Sequence, residues 1–527
     1  MTRRASTDKP SGSSDALTSS TRSASDTASE LDKLTGRRAL SLNISWNVIG
    51  LALPIGLAIA CTPTLVRTLG TQRFGVLLLS WTLVGYVSLF DLGLGRAVTQ
   101  LVATRLGSGG RHEVSTIVWT SLLLLAASGL AGMSAGFVLA PWLTSHVIHP
   151  PPYLHGETLD AVYILALSVP AVVIGSALRG VLEAVQRFDY VNAVRIPSGV
   201  VTYLGPVILL PFTHSISAIV ALLVAGRFAA GIAQYLLCIR ALPEMKSRSI
   251  LRLEHASALL RLGGWMTISN VLLPIITYGD RFAISAYLST AAVAYYATPF
   301  DTLTKLLIIP TAVTYVLFPA FAAVASSAPN KIEALVSRAA RYSLLAAFPT
   351  CLVIVAFSRE WLTIWLGPEF GKHSTAVAEL VALGVFANIL AQTPYTLIQG
   401  IGRPDLTTKM LLFELPAYAL ILALLLRANG IEGVASAWAV RTAVECSILI
   451  IVVRHLVPSY RDTTFILGGA IALAGMTAFL YPFPLSWRAL LVGVELIAFA
   501  AASWLWLAKA ERKGIVLWLQ GVRALQR

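Results

Sequence analysis

One segment near the middle of the chain, from Gly263 to Lys305, reads GGWMTISNVLLPIITYGDRFAISAYLSTAAVAYYATPFDTLTK. It is mostly apolar, yet it carries Asp280, Arg281, Asp301 and Lys305. A charge at the centre of a bilayer costs about 2.5–3.5 kcal/mol on insertion scales, so it usually faces a partner or a watery cavity. The segment therefore predicts membrane helices that are built around charge.

The same segment resembles an earlier part of the chain. Trp46 recurs as Trp265 and Leu69 recurs as Leu288, both after a displacement of 219 positions. Self-similarity at about half the length of a chain indicates a duplicated membrane bundle. We therefore expect two related halves.

The composition places the whole chain in a membrane. Of its 527 residues, 56% are hydrophobic and only 13% are charged, whereas a soluble protein carries about 25% charged residues. The apolar runs are long and continuous, while the strands of a membrane barrel alternate over about 10 residues. The fold class predicted is thus all-α, a polytopic transmembrane helical protein.

Continuous apolar runs predict fourteen spans. They cover residues 40–64, 75–95, 114–141, 159–180, 191–211, 215–239, 262–287, 291–318, 341–363, 375–399, 407–426, 430–453, 464–484 and 487–508. Placed on this topology, 30 of the 40 Lys and Arg residues lie inside, six lie outside and four lie within spans. This positive-inside bias predicts that both termini are cytoplasmic, and it explains the net charge of +14 without nucleic acid.

The spans and their connections predict six parts of the chain. These are a disordered cytoplasmic tail (1–38), an N-terminal six-helix bundle (39–240), a cytoplasmic amphipathic linker (241–261), a C-terminal six-helix bundle (262–456), two additional membrane helices (457–508) and a second cytoplasmic tail (509–527). The four cysteines lie inside apolar runs and form no CxxC pair, so we predict no disulfide framework and no metal site. For the outside loop with His146, His149 and His155, we favour a solvated Pro-rich loop over a metal site.

Three stretches resemble one family of transporters. The run from Pro63 to Ala103, PTLVRTLGTQRFGVLLLSWTLVGYVSLFDLGLGRAVTQLVA, is similar to the first helical hairpin of bacterial polysaccharide exporters. YGDRFAISAYLSTAAVAYYATPFD resembles their seventh span, and GIEGVASAWAVRTAVE, from Gly430 to Glu445, resembles the opening of a late span. These patterns resemble the O-antigen/polysaccharide flippase group of the multidrug/oligosaccharidyl-lipid/polysaccharide exporter superfamily.

The resemblance implies a fold and an activity. It implies two pseudo-symmetric six-helix bundles around a V-shaped central cavity that opens to one side of the bacterial inner membrane at a time. It implies translocation of an undecaprenyl-pyrophosphate-linked glycan to the periplasmic leaflet, without enzymatic chemistry. The expected partners are the lipid-linked glycan and membrane lipids, with polysaccharide polymerase or assembly proteins as candidates and no nucleic acid.

The cations of the spans and span ends are the predicted substrate contacts: Arg281, Arg227, Arg441, Lys305 and Arg96. A pyrophosphate brings about two negative charges, and guanidinium groups bind phosphate oxygens in pairs. Arg281 and Arg227 are the preferred candidates, because Arg227 has no acidic neighbour within a helical turn and Arg281 cannot face Asp280 on the same helix. A basic cavity suits this substrate better than it suits a cationic drug.

The predicted charge partners or coupling carboxylates are Asp280, Asp301, Glu445, Asp91 and Glu414. Spacings of four place Asp301 with Lys305 and Arg441 with Glu445 on shared helix faces, either as neutralising pairs or as cavity lining. Asp91 could instead bond backbone groups beside Gly93 and Gly95. We predict no cofactor, and either a proton or a sodium ion as the coupling ion.

Three alternatives remain open at this point. An ion-coupled small-molecule or drug exporter of the same superfamily predicts a cavity dominated by acids. A flippase for the peptidoglycan lipid precursor predicts much the same sequence features. A membrane glycosyltransferase or ligase predicts a paired-carboxylate site that the sequence does not show, and a P-loop is also lacking.

Overall fold

The computed structural model describes residues 37–91, 93–108, 110–246, 275–307, 332–457 and 483–506, and these ranges contain helices and no strand. The α-helices are α1 Arg37–Val87, α2 Leu94–Gly107, α3 Arg111–Trp142, α4 His155–Leu167, α5 Val169–Ala184, α6 Phe188–Leu209, α7 Ile216–Ala241, α8 275–287, α9 Thr290–Thr304, α10 Ile332–Leu366, α11 Pro368–His373, α12 Thr375–Gly400, α13 Pro404–Leu456 and α14 Leu485–Trp506. Short 3-10 turns cover Ser88–Asp91, Pro152–Leu154, Pro243–Lys246 and Lys305–Leu307, and a π-helical turn covers Leu143–Ile148.

Two of the longest helices are broken at glycine. The backbone leaves helical geometry at Gly70 in α1 (φ 75°, ψ 163°) and at Gly430 in α13 (φ 58°, ψ −135°). Positive φ is strained for residues with a Cβ and open to glycine, so each glycine allows the chain to reverse between two predicted spans. Single continuous helices of 51 and 53 residues would exceed the roughly 20 residues that cross a bilayer.

Within the described ranges, eight helices are long and apolar enough to cross a membrane. The prediction of a polytopic helical membrane protein is confirmed, while the number of fourteen spans stays a prediction. The predicted span 464–484 lies outside the described residues except for its last two positions, and the spans 262–287 and 291–318 are described only in part.

The chain divides into two compact units. The first consists of the described residues within Met1–Cys61, Leu83–Ala140 and Asp160–Leu273, and the second of those within Thr62–Thr82, Pro141–Leu159 and Pro274–Arg527. The predicted boundaries of the two bundles and of the C-terminal helix pair stay predictions. The linker residues 247–261 and the tails 1–36 and 509–527 lie outside the described residues.

The core of the first unit joins α2, α3 and α5 through buried aliphatic side chains such as Leu94, Val98, Val173 and Leu178. A Cβ built on Gly180 would lie 2.6 Å from the carbonyl oxygen of Gly95, so α2 and α5 approach closely only because both residues lack side chains.

In the second unit, α12 packs against α9, α10 and α13. Gly384 of α12 faces the indole ring of Trp438, which a Cβ would approach to 2.3 Å. Ser289 begins α9 as its N-cap, since its side chain accepts the backbone N–H of Ala292 at 3.1 Å. This cap follows directly on α8, so α8 and α9 form a hairpin whose charged residues can meet.

Candidate functional site

The α8–α9 hairpin places Arg281 next to Asp301. The guanidinium Nη2 of Arg281 donates to the Asp301 carboxylate, and its Nη1 donates to Thr82 Oγ1 at 3.1 Å. Arg281 is only 3% exposed. The charge of this arginine is therefore matched within the protein.

Asp280, which adjoins Arg281 in sequence, has separate partners. It is 1% exposed, and its carboxylate accepts the hydroxyl of Tyr296 and the backbone N–H of Arg281, the latter at 2.8 Å. Consecutive residues on a helix point in different directions, and the structure confirms that Asp280 and the Arg281 guanidinium use different partners.

Aromatic rings enclose the Arg281 guanidinium. Its Cζ lies 5.1 Å from the ring centroid of Tyr278 and 5.9 Å from that of Phe300. Phe300 in turn packs edge-on against Trp438 of α13, with ring centroids 5.0 Å apart. Rings at these distances attract a cation, so they stabilise the buried guanidinium of Arg281.

A second charged group lies on α13. Arg441 Nη1 lies 3.2 Å from Glu414 Oε1, and Arg441 Nη2 lies 3.8 Å from Glu445 Oε2. The predicted pair of Arg441 with Glu445 is confirmed. Glu414 joins it because the break at Gly430 brings the first half of α13 back beside the second half.

Tyr418 stands between the two charged groups. It is 4% exposed, and its phenol oxygen lies within electrostatic range of Asp280, Glu414 and Arg441. The Arg441 Cζ lies 5.4 Å from the Tyr418 ring. Six of the predicted site residues thus share one buried region of the second unit.

Two expectations are corrected by these contacts. Asp301 pairs with Arg281 across the hairpin and not with Lys305, because α9 ends at Thr304 and Lys305 begins a 3-10 turn. The expectation that Arg281 is an accessible cavity cation is wrong for this conformation, since it is buried and paired. Whether these residues bind substrate stays a prediction.

The remaining predicted residues, Arg227, Arg96 and Asp91, lie in the first unit. Arg227 projects from α7, and its Nη1 is buried with no hydrogen-bond partner among the residues that the structure describes. Arg96 is exposed. Arg227 is therefore the predicted cation whose charge is least compensated in the described part of the chain.

Asp91 stabilises the start of α2. Its carboxylate accepts the hydroxyl of Ser176 at 2.6 Å and the backbone N–H of Gly95 at 3.1 Å, while Gly93 takes a positive φ of 68°. The interpretation that Asp91 bonds backbone groups in the glycine-rich turn is confirmed for Gly95. Arg96 and Arg179 lie within electrostatic range of it.

Sequence reasoning missed the polar aromatic residues of the site. Tyr296 and Tyr418 contact the buried charges from α9 and α13, and Thr82 does so from α1. The sequence signal for Tyr296 and Tyr418 was a tyrosine inside an otherwise apolar span. Such a tyrosine is as typical of helices that end at the membrane interface as of helices that carry a polar site.

Two segments from the first half of the chain belong to the second unit and contact the same hairpin. The hydroxyl of Thr290 donates to Gln72 Oε1, and the hydroxyl of Ser285 donates to the carbonyl of Ile148. A Cβ built on Gly75 would lie 1.8 Å from the carbonyl oxygen of Thr290. We call these residues, within Thr62–Thr82 and Pro141–Leu159, the hairpin contact.

The histidine-rich loop lies beside this hairpin contact. His155 Nε2 lies 3.4 Å from Ser145 Oγ, and His146 stacks on Trp142 with ring centroids 5.9 Å apart. Among the described residues, no group of three or more His, Cys, Asp or Glu residues is placed to hold a metal ion.

Comparison with known proteins identifies the family. A family model described as "Polysaccharide biosynthesis protein" matches residues 64–374, which is more than half of the chain. The chain belongs to this family. The resemblance seen in the glycine and charge patterns of the sequence is thereby confirmed.

Two curated relatives extend the likeness. The chain is 28% identical over 412 residues to the "Putative O-antigen transporter" of Shigella flexneri, covering 77% of this chain and 96% of the relative. It is 21% identical over 441 residues to the "Uncharacterized membrane protein EpsK" of Bacillus subtilis, covering 81% of this chain and 85% of the relative.

Solved structures show the same fold. An inward-facing multidrug resistance MATE family transporter of the MOP superfamily matches with a TM-score of 0.63 and 13% identity, over 79% of this chain and 96% of that one. The lipid II flippase MurJ in an inward closed conformation matches with a TM-score of 0.64 and 12% identity, over 88% and 98%. This polysaccharide biosynthesis family member therefore has the fold of the MATE and MurJ transporters.

Proposed function

We propose that this protein is a flippase of the bacterial inner membrane that moves an undecaprenyl-pyrophosphate-linked oligosaccharide, a repeat unit of O-antigen or exopolysaccharide, by alternating access. The family match and the Shigella relative support transport of a polysaccharide precursor, and no catalytic chemistry is needed for this step. The fold supports a transporter of the same superfamily as MATE proteins and MurJ.

The observation that carries the substrate class is Arg227. A guanidinium inside an apolar membrane helix is costly unless it meets an anion or water, and among the described residues Arg227 has no ion-pair partner. A pyrophosphate supplies the missing negative charge through oxygens that match the guanidinium fork. The lipid tail stays in the bilayer while the charged head group and sugars cross.

Further cations extend this proposal along the path. In this proposal the exposed Arg96 is a phosphate contact in the first unit and Lys305 is a phosphate contact in the second. Arg281 and Arg441 are held by carboxylates in the present conformation and exchange these partners for phosphate oxygens in another state of the cycle. Arg281 and Arg441 therefore stabilise the protein in one state and bind the substrate in the next.

The hairpin contact supplies the closing element of the cycle. By the charge bias of the loops, residues near 70, 150 and 289 lie on the periplasmic side, so their contacts close that side. Opening breaks the bonds of Thr290 to Gln72 and of Ser285 to Ile148, while the rigid helices stay intact. Both chain ends remain cytoplasmic in this scheme.

The decisive experiment deletes the protein and determines the leaflet in which the lipid-linked glycan accumulates. Accumulation in the cytoplasmic leaflet supports the flippase. Unchanged glycan with increased drug sensitivity would establish the small-molecule exporter instead, and accumulation of the peptidoglycan precursor would establish a flippase for that precursor.

The role of Arg227 is tested with purified protein in vesicles that contain a fluorescent pyrophosphate-linked lipid. Arg227→Ala should lower binding about tenfold or more, since a charged hydrogen bond contributes about 1.5–3 kcal/mol. Arg227→Lys should restore part of it. Arg240→Ala, in an exposed position on the same helix, is the matched control and should bind like the wild type.

A further inference from the structure

We propose that Glu414, Arg441 and Glu445 form a triad that binds one exchangeable proton, and that this proton is the coupling ion of the transporter. As a coupling site, the triad rests on the proposed export function. The assignment of a bound proton to the triad depends only on the contacts described below.

The triad contains two acidic side chains and one basic side chain. Two carboxylates share one guanidinium, at 3.2 Å from Glu414 and 3.8 Å from Glu445, so the fully ionised triad carries a net charge of −1. The three side chains are only 13%, 14% and 18% exposed, and they lie within α13, a helix long and apolar enough to cross a membrane. An excess charge is costly in such a place, and one proton on the pair of glutamates removes it.

The contacts place this proton on the glutamate pair. Glu414 and Glu445 both lie against the single guanidinium of Arg441, so two negative charges share one cation when both glutamates are ionised. The buried Glu414 Oε1 makes no hydrogen bond in the described structure, although the guanidinium is close. Asp280, by contrast, accepts two hydrogen bonds and is solvated by the protein.

A second observation points to a ligand here. The phenol of Tyr418 is 4% exposed, lies within electrostatic range of Glu414, Arg441 and Asp280, and has no hydrogen-bond partner among the described residues. An unpartnered buried phenol is costly unless an acceptor becomes available to it. When the proton leaves the glutamates, Tyr418 can donate to the ionised carboxylate and stabilise the empty state.

The neighbouring elements contribute no further cation that would neutralise the triad in the described part of the chain. The titratable groups within electrostatic range of its members are Tyr395 from α12 and Cys446 and Tyr418 from α13 itself, while Asp280 from α8 and Tyr296 from α9 lie within range of Tyr418. The guanidinium of Arg441 lies against the carboxylates and repels a metal cation, so a proton fits the site better than a sodium ion does.

The position of the triad in α13 connects the proton to a movement. Glu414 lies before the break at Gly430, and Arg441 and Glu445 lie after it. Loss of the proton leaves an additional negative charge on Glu414, before the break, or on Glu445, after it. This charge changes the electrostatic attraction between the two halves of α13. Protonation can therefore favour one arrangement of these halves over the other.

The test uses the purified full-length protein without glycan. Infrared difference spectra between acidic and alkaline buffer, at constant potassium and without sodium, should show the carbonyl band of one protonated carboxylic acid. Glu414→Gln and Glu445→Gln should each remove that band, because the remaining glutamate then balances Arg441. Glu432→Gln, at an exposed position of the same helix, is the matched control and should keep the band.

Outcomes separate the proposals clearly. A band that persists in both glutamine variants overturns the triad as the proton site, and sodium that displaces the band at constant pH shows that it binds a metal cation instead. If a glutamine variant fails to fold, the same spectra of Tyr418→Phe serve, where the band should shift to a higher pH and an unchanged titration refutes the assignment. A normal band with no glycan transport would contradict only the proposed export function.

Discussion

The close approach of Gly75 to Thr290 gives a sharp test of the hairpin contact. In Gly75→Ala the new Cβ would lie 1.8 Å from the Thr290 carbonyl oxygen and 2.6 Å from its carbonyl carbon, whereas ordinary contacts begin at 3.4 Å. The backbone must therefore move by about 1.6 Å, the difference between 3.4 and 1.8 Å. Such a shift also strains the bond between Thr290 and Gln72.

The expected size of the effect follows from overpacking. An extra methyl group in a packed site costs about 1–3 kcal/mol, which corresponds to about a 5- to 150-fold loss of the closed arrangement. The assay is the rate at which a short bifunctional thiol reagent crosslinks cysteines placed at Gln72 and Thr290, whose side chains are hydrogen-bonded across the contact. The substitution should slow crosslinking and lower glycan export together.

A matched control and a clear refutation complete this test. Gly56 lies in the same helix with no atom within 4 Å of a new Cβ, so Gly56→Ala should crosslink and export like the wild type. If Gly75→Ala crosslinks at the wild-type rate and exports normally, the hairpin contact does not control opening.

Three further substitutions probe other contacts of the second unit. Arg281→Ala should abolish export and lower stability by about 1.5–3 kcal/mol, because it removes the charged hydrogen bond to the partly exposed Asp301; thermal unfolding in detergent checks this, and Arg281→Ala with Asp301→Asn should recover part of the stability without recovering export. Arg488→Ala should lower stability by about 3–5 kcal/mol, because this arginine pairs with a glutamate and caps a free backbone carbonyl at the break in α10; an unchanged melting temperature would contradict it. Gly384→Ala should cost about 1–3 kcal/mol, since its Cβ would lie 2.3 Å from Trp438, and equal unfolding temperatures would refute this packing.

The membrane class, the helical content and the family could be predicted from the sequence. They follow from long apolar runs, from loop charge and from local patterns such as the Asp-Leu-Gly-Leu-Gly run at Asp91. The pair of Arg441 and Glu445 was also predictable, because four residues of helix place two side chains on one face. Each of these features depends on neighbours along the chain.

Only the tertiary structure decided which charges meet across helices. Asp301 could have paired with Lys305 by spacing, but the α8–α9 hairpin brings Arg281 closer, and the break at Gly430 adds Glu414 to Arg441. Likewise, nothing local marks Tyr418 as the phenol between two charged groups or Gly75 as the neighbour of Thr290. Helical periodicity fixes the direction of a side chain relative to its own axis, whereas its partner depends on how the axes pack, and that packing is set by many distant residues together.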